Sequence, residues 1–273
     1  MKKRFIKFII WVVSITLFLV LTAIVISKYN RNRCRGVEIT IHAPDDGAFL
    51  TKADVMTYIN ESGDSLENNE LSKINIEKLE EIISKKPYIQ SSKVYMSISG
   101  ILKIDIVQRT PIARIQPDMR IAGIDGINYS PYYISDDGKL MPLTPGKTAR
   151  MIFVNGYIRN LYNDFVRLDV DSATAARDTT GLFTTLYNIY DVARFIHRDD
   201  FLRAQIQQIY VDENGDLMLI PEVGNHIVIF GDRNNIGDKF GKLKLFYEKA
   251  AFIKGWDKYD TINIKYKNQI ICS

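Results

Sequence analysis

Four groups of residues have side chains suited to chemistry, and in each case the spacing or the setting argues against it. The histidines, His42, His197 and His226, lie far apart, with no i, i+4 pair to grip zinc from one helix face. Asp212-Glu213-Asn214-Gly215-Asp216 has the outline of a calcium loop, which needs glycine at the sixth position and a bidentate Glu at the twelfth. Here the glycine comes early and the twelfth position is Val223, so the run reads as a hairpin turn. "GDKFGKL", Gly237 to Leu243, has the outline of a phosphate-binding loop. It is one residue short between its glycines, and Leu243 stands where Ser or Thr must hold magnesium. The adjacent acids Asp45-Asp46, Asp136-Asp137 and Asp199-Asp200 fall beside turns or helix ends, where solvated carboxylates are expected. No nucleophile stands next to a base in recognisable context. Catalytic groups converge in space rather than in sequence, so an enzyme stays open in principle. The expectation is no catalytic residue, no metal, no cofactor and no small-molecule substrate.

The elements that carry these residues begin with an apolar run. Phe8 to Ser27, "FIIWVVSITLFLVLTAIVIS", holds no charge, and at 1.5 Å per residue a helix of that length reaches about 30 Å, the hydrocarbon thickness of a bilayer. Most of its residues are Phe, Ile, Leu or Val, each gaining roughly 0.3–0.6 kcal/mol on insertion near a helix centre. It is apolar on every face, unlike a helix lying on a core. No small-x-small cleavage site follows, and "NRNRC" before Cys34 lacks the residues that precede a lipidated cysteine. The expectation is an uncleaved transmembrane helix over 8–27, a cytoplasmic tail over 1–7 and residues 28–273 outside the cytoplasm. Basic residues crowd both flanks, and long domains translocate largely regardless of charge.

The net charge of +4 hides this asymmetry. Residues 1–35 hold Lys2, Lys3, Arg4, Lys7, Lys28, Arg31, Arg33 and Arg35 and no acid, so 28 of the 36 basic residues face all 32 acids in the remainder. A body with that acidic balance is a poor partner for nucleic acid. A length of 273 residues suits two domains, and 46% apolar with 25% charged residues is ordinary for globular protein. Cys34 and Cys272 are read as free thiols rather than a bridge.

Beyond a basic linker over 28–36, Val37, Ile39 and Ile41 mark a strand. Thr51 with Asp54 is a capping-box-like start to a helix whose apolar face carries Val55, Tyr58 and Ile59. Asn75 caps a second helix with Ile76, Leu79, Ile82 and Ile83 at helical spacing, stopped by Pro87. "SKVYMSIS" and "GILKIDIVQR" then make two strands about a tight Ser-Gly turn. Two amphipathic helices on one face of a small sheet form a two-layer α+β domain.

Pro111 interrupts the next apolar run, since proline donates no ladder hydrogen bond and is excluded from central strands. It marks either a domain junction or an edge-strand bulge within one domain. From Ile112 the chain is strand-rich. Hairpins are expected from Tyr132 to Leu143 across Asp136-Asp137-Gly138, and from Gln205 to Glu222 across Asn214-Gly215. Further strands are "MIFVNGY", "HIVIFG" and "INIKY". Helices are expected over 182–198, with Leu182, Leu186, Ile189, Val192 and Ile196 as core stripe, and over about 236–253.

The first of these blocks, ending in "KPYIQSSKVYMSISGILKIDIVQRTPIARI", resembles a POTRA domain, in particular that of the FtsQ/DivIB cell-division family. The chain's order of tail, apolar span, this block and a strand-rich domain is similar to that family's order. So are Val107-Gln108-Arg109 followed by Pro111-Ile112-Ala113, and the close of the chain, "HIVIFGDRNNIGDKFGKLKLF" with "INIKY". There the family's apolar-Asp-apolar-Arg-Tyr strand becomes Ile262-Asn263-Ile264-Lys265-Tyr266. The resemblance implies a POTRA-like domain over 37–109 and an FtsQ-type β domain over 110–273. It implies a non-enzymatic scaffold at the division septum of the inner (plasma) membrane, recruiting small bitopic FtsB/DivIC-like and FtsL-like partners. In the family the small partner docks by adding a strand beside the last strands. The matching positions here are Tyr266, before the turn at Lys267-Asn268, and Gln269, Ile270 and Ile271 after it, which could equally just complete the sheet's core. Two other readings stay open: an anchored enzyme acting on cell wall, and a POTRA-containing translocation or assembly factor.

Overall fold

In the computed structural model the described residues are 2–30, 34–44, 48–61, 74–117, 130–143, 151–158, 184–251, 255 and 258–273. Helix α1, Lys2–Asn30, is 29 residues long and contains the apolar run. Its described side chains over residues 9–24 are mostly exposed, among them Trp11, Phe18 and Leu21. Among the described residues no helix is long and apolar enough to cross a membrane.

The chain divides into two compact units, Met1–His42 with Leu50–Gln108, and Ala43–Phe49 with Arg109–Ser273. In the first, β1 (Gly36–His42), β2 (Ile89–Met96) and β3 (Ile101–Gln108) form a sheet of order β1-β3-β2. β1 lies parallel to β3 with Ile39 opposite Ile104, and β2 runs antiparallel with Val94 opposite Ile104. Leu102, Ile104 and Ile106 point to the buried face, as the period-two pattern requires, and Lys103 and Asp105 to the other. Helices α2 (Lys52–Glu61) and α3 (Ile76–Ser84) cover the buried face with Val55, Ile59, Leu79 and Ile83. Both expected caps form. Thr51 and Asp54 exchange bonds reciprocally, the Thr51 N–H donating to Asp54 Oδ2 at 2.8 Å and the Asp54 N–H to Thr51 Oγ1 at 3.2 Å. Asn75 Oδ1 takes the Lys78 N–H at 2.9 Å.

The second unit is a nine-stranded mixed sheet in the order β12-β11-β10-β9-β8-β7-β4-β5-β6. β4 (Pro111–Pro117) runs parallel to β7 (Ile152–Gly156) and antiparallel to β5 (Tyr132–Ser135), which pairs with β6 (Leu140–Pro142). β8 (Ile206–Val211), β9 (Leu217–Pro221) and β10 (Ile227–Gly231) continue it, β8 parallel to β7. β10 then runs parallel to β11 (Thr261–Asn263), and β12 (Ile271–Cys272) closes the edge. Pro111 opens β4 opposite Ser135, and the register shifts before Ala113, where pairing with β7 begins. An interior strand thus accepts proline at its first residue, beside a bulge. Helix α4 (Thr184–His197) and helix α6 (Ile236–Phe246) share one core with the sheet. Leu186, Ile189, Val192 and Ile196 of α4 join Phe240 and Leu243 of α6, and Ile115, Val154, Ile209, Leu219 and Val228 of the strands.

Three elements depart from the sequence reading. The C-terminal helix ends at Phe246 and continues as one π turn, Tyr247–Ala251; the expected end near Ile253 lies outside the described residues. A short helix α5, Asp200–Gln205, was not anticipated, and Asp199 caps it by accepting the Leu202 N–H at 3.0 Å. The parallel pairings β4–β7–β8 and β10–β11 follow from no local pattern. Leu182, Asp45 and Asp46 lie outside the described residues.

A candidate docking edge at the last hairpin

Several of the candidate chemical groups have a local structural role. "GDKFGKL" lies within α6 rather than in a loop. Asp212 Oδ1 accepts the Asn214 and Asp216 N–H groups at 2.9 and 2.8 Å, closing the β8–β9 turn, and Gly215 supplies its positive φ of 82°. His226 is buried with Nε2 2.9 Å from the Tyr247 hydroxyl, a phenol pushed up to about 12 by burial. Asp136 faces Arg194 and Arg198 at 3.4 Å each, while Asp137 pairs with Arg109. Cys34 and Cys272 are free thiols, and burial raises Cys272. Among the described residues no three His, Cys, Asp or Glu side chains gather as metal ligands.

Two concave regions stand out in the second unit. One, about 490 Å³, lies where β7 and β8 begin under the ends of α4 and α5; His197, Arg203 and Glu222 share its wall with Ile112, Phe153 and Gln208. The other, about 520 Å³, runs between α6 and the β11–β12 turn. It collects three of the four expected docking residues, Tyr266, Gln269 and Ile270, with Lys242 and Leu245 facing them from the helix. Ile271 sits instead on β12, opposite Asn263, and is 47% exposed. Ile270 packs partly against the core and Tyr266 is 49% exposed, so the four residues differ in how far they are available.

The local chemistry explains why this hairpin holds its shape. Asn268 turns the chain with φ 61°, a left-handed conformation that asparagine tolerates. Lys242 reaches across from α6 and donates Nζ to the carbonyls of Ile264 at 2.8 Å and Gln269 at 3.3 Å, and to that of Tyr266. Burial, with Lys239 nearby, lowers its pKa from the ordinary lysine value. Lys239 itself is buried, bonds the Asp232 carbonyl and carboxylate at 2.8 and 2.9 Å, and lies 4.9 Å over the Phe230 ring, seating α6 beside β10. The two positions that depart from the family's closing strand keep polar roles here. Asn263 Oδ1 accepts the Lys265 N–H at 3.0 Å. Lys265 pairs with Asp216, whose hydrogen bond raises the lysine's pKa, and its methylenes cover Gly231, where any Cβ would meet them at 2.9 Å.

β12 is the outermost of the described strands on this side of the sheet. Ser273 exchanges bonds with Thr261, its N–H donating at 3.2 Å and its carbonyl accepting at 3.2 Å. By the alternation of an antiparallel ladder, the Cys272 amide and carbonyl then point away from β11. Its side chain faces the core with Ile262, and that of Ile271 faces outward. Such an edge has the main-chain groups that pair with an added strand. The sequence reading missed Lys242, whose partners lie more than twenty residues away and leave no local signal.

Comparison with known proteins bears on the whole arrangement. No curated protein matches the chain significantly. Residues 32–107 match the model of a POTRA-like domain. Residues 110–273, more than half of the chain, match the model described as FtsQ/DivIB, C-terminal related. With the nine-stranded unit and its last hairpin inside the second match and the β-α-α-β-β unit under the first, the chain belongs to the FtsQ/DivIB family.

Proposed function

We propose that this protein is a membrane-anchored, non-enzymatic scaffold of the division machinery that recruits small bitopic FtsB/DivIC-like and FtsL-like partners through strand addition at β12. Family membership supports a division-related role. The observation that carries the docking claim is the edge position of β12, with Ile271 exposed and the Tyr266–Ile270 groove alongside. Main-chain bonds supply affinity in this mode, and alternate side chains supply selectivity. The anchor is residues 8–27, an uncharged run behind a basic tail, with the large domain outside the cytoplasm at the septum.

The test is capture of partners by the full-length chain from detergent-solubilised membranes, with and without Ile271→Glu. The expected result is small bitopic coiled-coil proteins bound by the parent and lost from the variant, at unchanged melting temperature. Equal capture by both proteins would remove β12 from the interface. The rival reading, an enzyme acting on cell wall, starts from the 490 Å³ cavity, where His197, Arg203 and Glu222 share a wall. Release of soluble fragments from purified peptidoglycan, abolished by Glu222→Gln, would favour it.

A further inference from the structure

One side chain stands clear of all packing in the first unit. Ile98, at the tip of the β2–β3 hairpin, is 96% exposed, more than any other large apolar residue among those described. The tip around it is well fixed. The Gly100 N–H donates to the Ser97 carbonyl at 3.0 Å and the Ser97 N–H to the Ile101 carbonyl at 2.9 Å. Ser97 Oγ accepts the Ile101 N–H at 3.0 Å and lies 2.8 Å from Ser99 Oγ. Gly100 takes the positive φ of 82°. A turn whose own groups satisfy one another holds Ile98 outward, where Ser, Asn or Gly would serve the turn equally well. The exposed isoleucine therefore has no explanation inside the fold.

The position of the tip along the chain supplies one. The Arg35 N–H donates to the Gly100 carbonyl at 2.9 Å, and β1 starts with Gly36 directly opposite Ile101 in parallel register. The tip thus lies beside the point at which the chain enters the sheet. α1 ends at Asn30, and the six steps from there to Gly36 reach at most about 20 Å. This short connection is basic: Lys28, Arg31, Arg33 and Arg35 occur between residues 28 and 36, with no acid.

We infer that the Ser97–Gly100 tip is a membrane-contact point, with Ile98 seated in the interfacial layer of the bilayer that holds α1. The inference rests on the anchor reading given above. One aliphatic side chain does not hold a free protein on lipid. A chain already tethered within about 20 Å meets the surface at high effective concentration, so a weak contact suffices. Two points of attachment would then fix the tilt of the first unit against the membrane, where one attachment alone would leave it free.

The experiment uses the full-length chain in vesicles of phosphatidylcholine and phosphatidylglycerol, with Ile98→Trp as the sole tryptophan after Trp11→Phe and Trp256→Phe. Lipid brominated near the glycerol backbone should quench the emission about twofold or more, as expected for a residue seated at the acyl boundary. Alkaline carbonate extraction of the same vesicles reports the anchor independently. Protein retained by the vesicles with unquenched emission would overturn the contact and leave the anchor standing. Protein released by carbonate would overturn the anchor and the inference with it. Shielding of the tryptophan from iodide in native membranes, without quenching by brominated lipid, would assign the tip to a protein partner instead.

Discussion

The Lys242 ammonium sits 2.8 Å from the Ile264 carbonyl, so a helix two elements earlier in the chain fixes the last hairpin from one side. Its other acceptors, the carbonyls of Tyr266 and Gln269, bracket the Lys267-Asn268 turn. Lys242→Met keeps the aliphatic stem and removes the donor. A hydrogen bond from a charged group contributes about 1.5–3 kcal/mol, so the hairpin should open more often by a factor of at least ten. Hydrogen exchange should accelerate at Ile264 and Thr261 while β8 and β9 keep their protection. Unchanged exchange at the hairpin would show that Lys242 only decorates it.

Ile270 and Ile271 are neighbours with opposite fates. Ile270 packs against the core beside β11, whereas Ile271 faces solvent. Ile270→Glu should therefore destabilise the second unit by about 2 kcal/mol or more, since it puts a charge where an apolar side chain packed. Ile271→Glu should stay within about 0.5 kcal/mol of the parent. Chemical denaturation of both variants decides the matter, and equal losses would mean the strand's two faces are assigned the wrong way round.

Asp199 provides a pH-dependent contribution to stability. Burial pushes its carboxyl up, but the hydrogen bond from Lys244 and the Leu202 N–H outweigh burial and hold it below the ordinary value of 3.8. A carboxyl so lowered binds its proton less readily in the folded state than in the unfolded one. Its stabilisation is present above 3.8 and is lost as pH falls through the lower folded value. Asp199→Ala should cost about 1 kcal/mol at neutral pH as a lost helix cap, and the gap to the parent should close in acid. A gap constant down to acid would show that the carboxylate's charge contributes nothing.

Phe49 belongs with the second unit although its neighbour Leu50 belongs with the first. It is buried and meets the Tyr133 ring edge-on, with centroids 5.5 Å apart. A fragment of residues 110–273 lacks this ring. It should still melt cooperatively, but below the melting temperature of the same unit in the full chain. Phe49→Ala in the full chain should reproduce most of that drop, about 3 kcal/mol for a buried aromatic. A fragment of residues 32–108 should also unfold cooperatively. Failure of both fragments to do so would place the folding boundary elsewhere.

What could be read from the sequence follows the range of the forces involved. The Thr51–Asp54 and Asn75 caps, the Leu102–Ile104–Ile106 alternation and the Asp212–Asp216 turn are decided within a few residues, and they stand where the residues put them. The π turn after Phe246 and helix α5 were missed because an apolar period carries no mark of where a helix changes pitch or restarts. The partners of Lys242 and Lys265 lie far along the chain, and only the sheet order brings them close. Tyr266, Gln269 and Ile270 were singled out by resemblance rather than by any property of their own side chains, and the groove beside α6 does gather them.

The parallel strands at the centre of the larger sheet set a clock. Ala113 pairs with Ile152 and Phe153 with Gln208, separations of 39 and 55 positions that must close before either ladder gains a hydrogen bond. The β8–β9 pair, by contrast, closes across the five-residue turn Asp212–Asp216. Folding of this unit should therefore start from β8–β9–β10 and finish at β4 and β7, on the millisecond-to-second scale typical of sheets rich in distant pairings. Until β4 and β7 arrive, one flank of β8 stands open. The interval of greatest aggregation risk thus falls at the middle of the sheet during folding, far from β12 at the end of the described strand order.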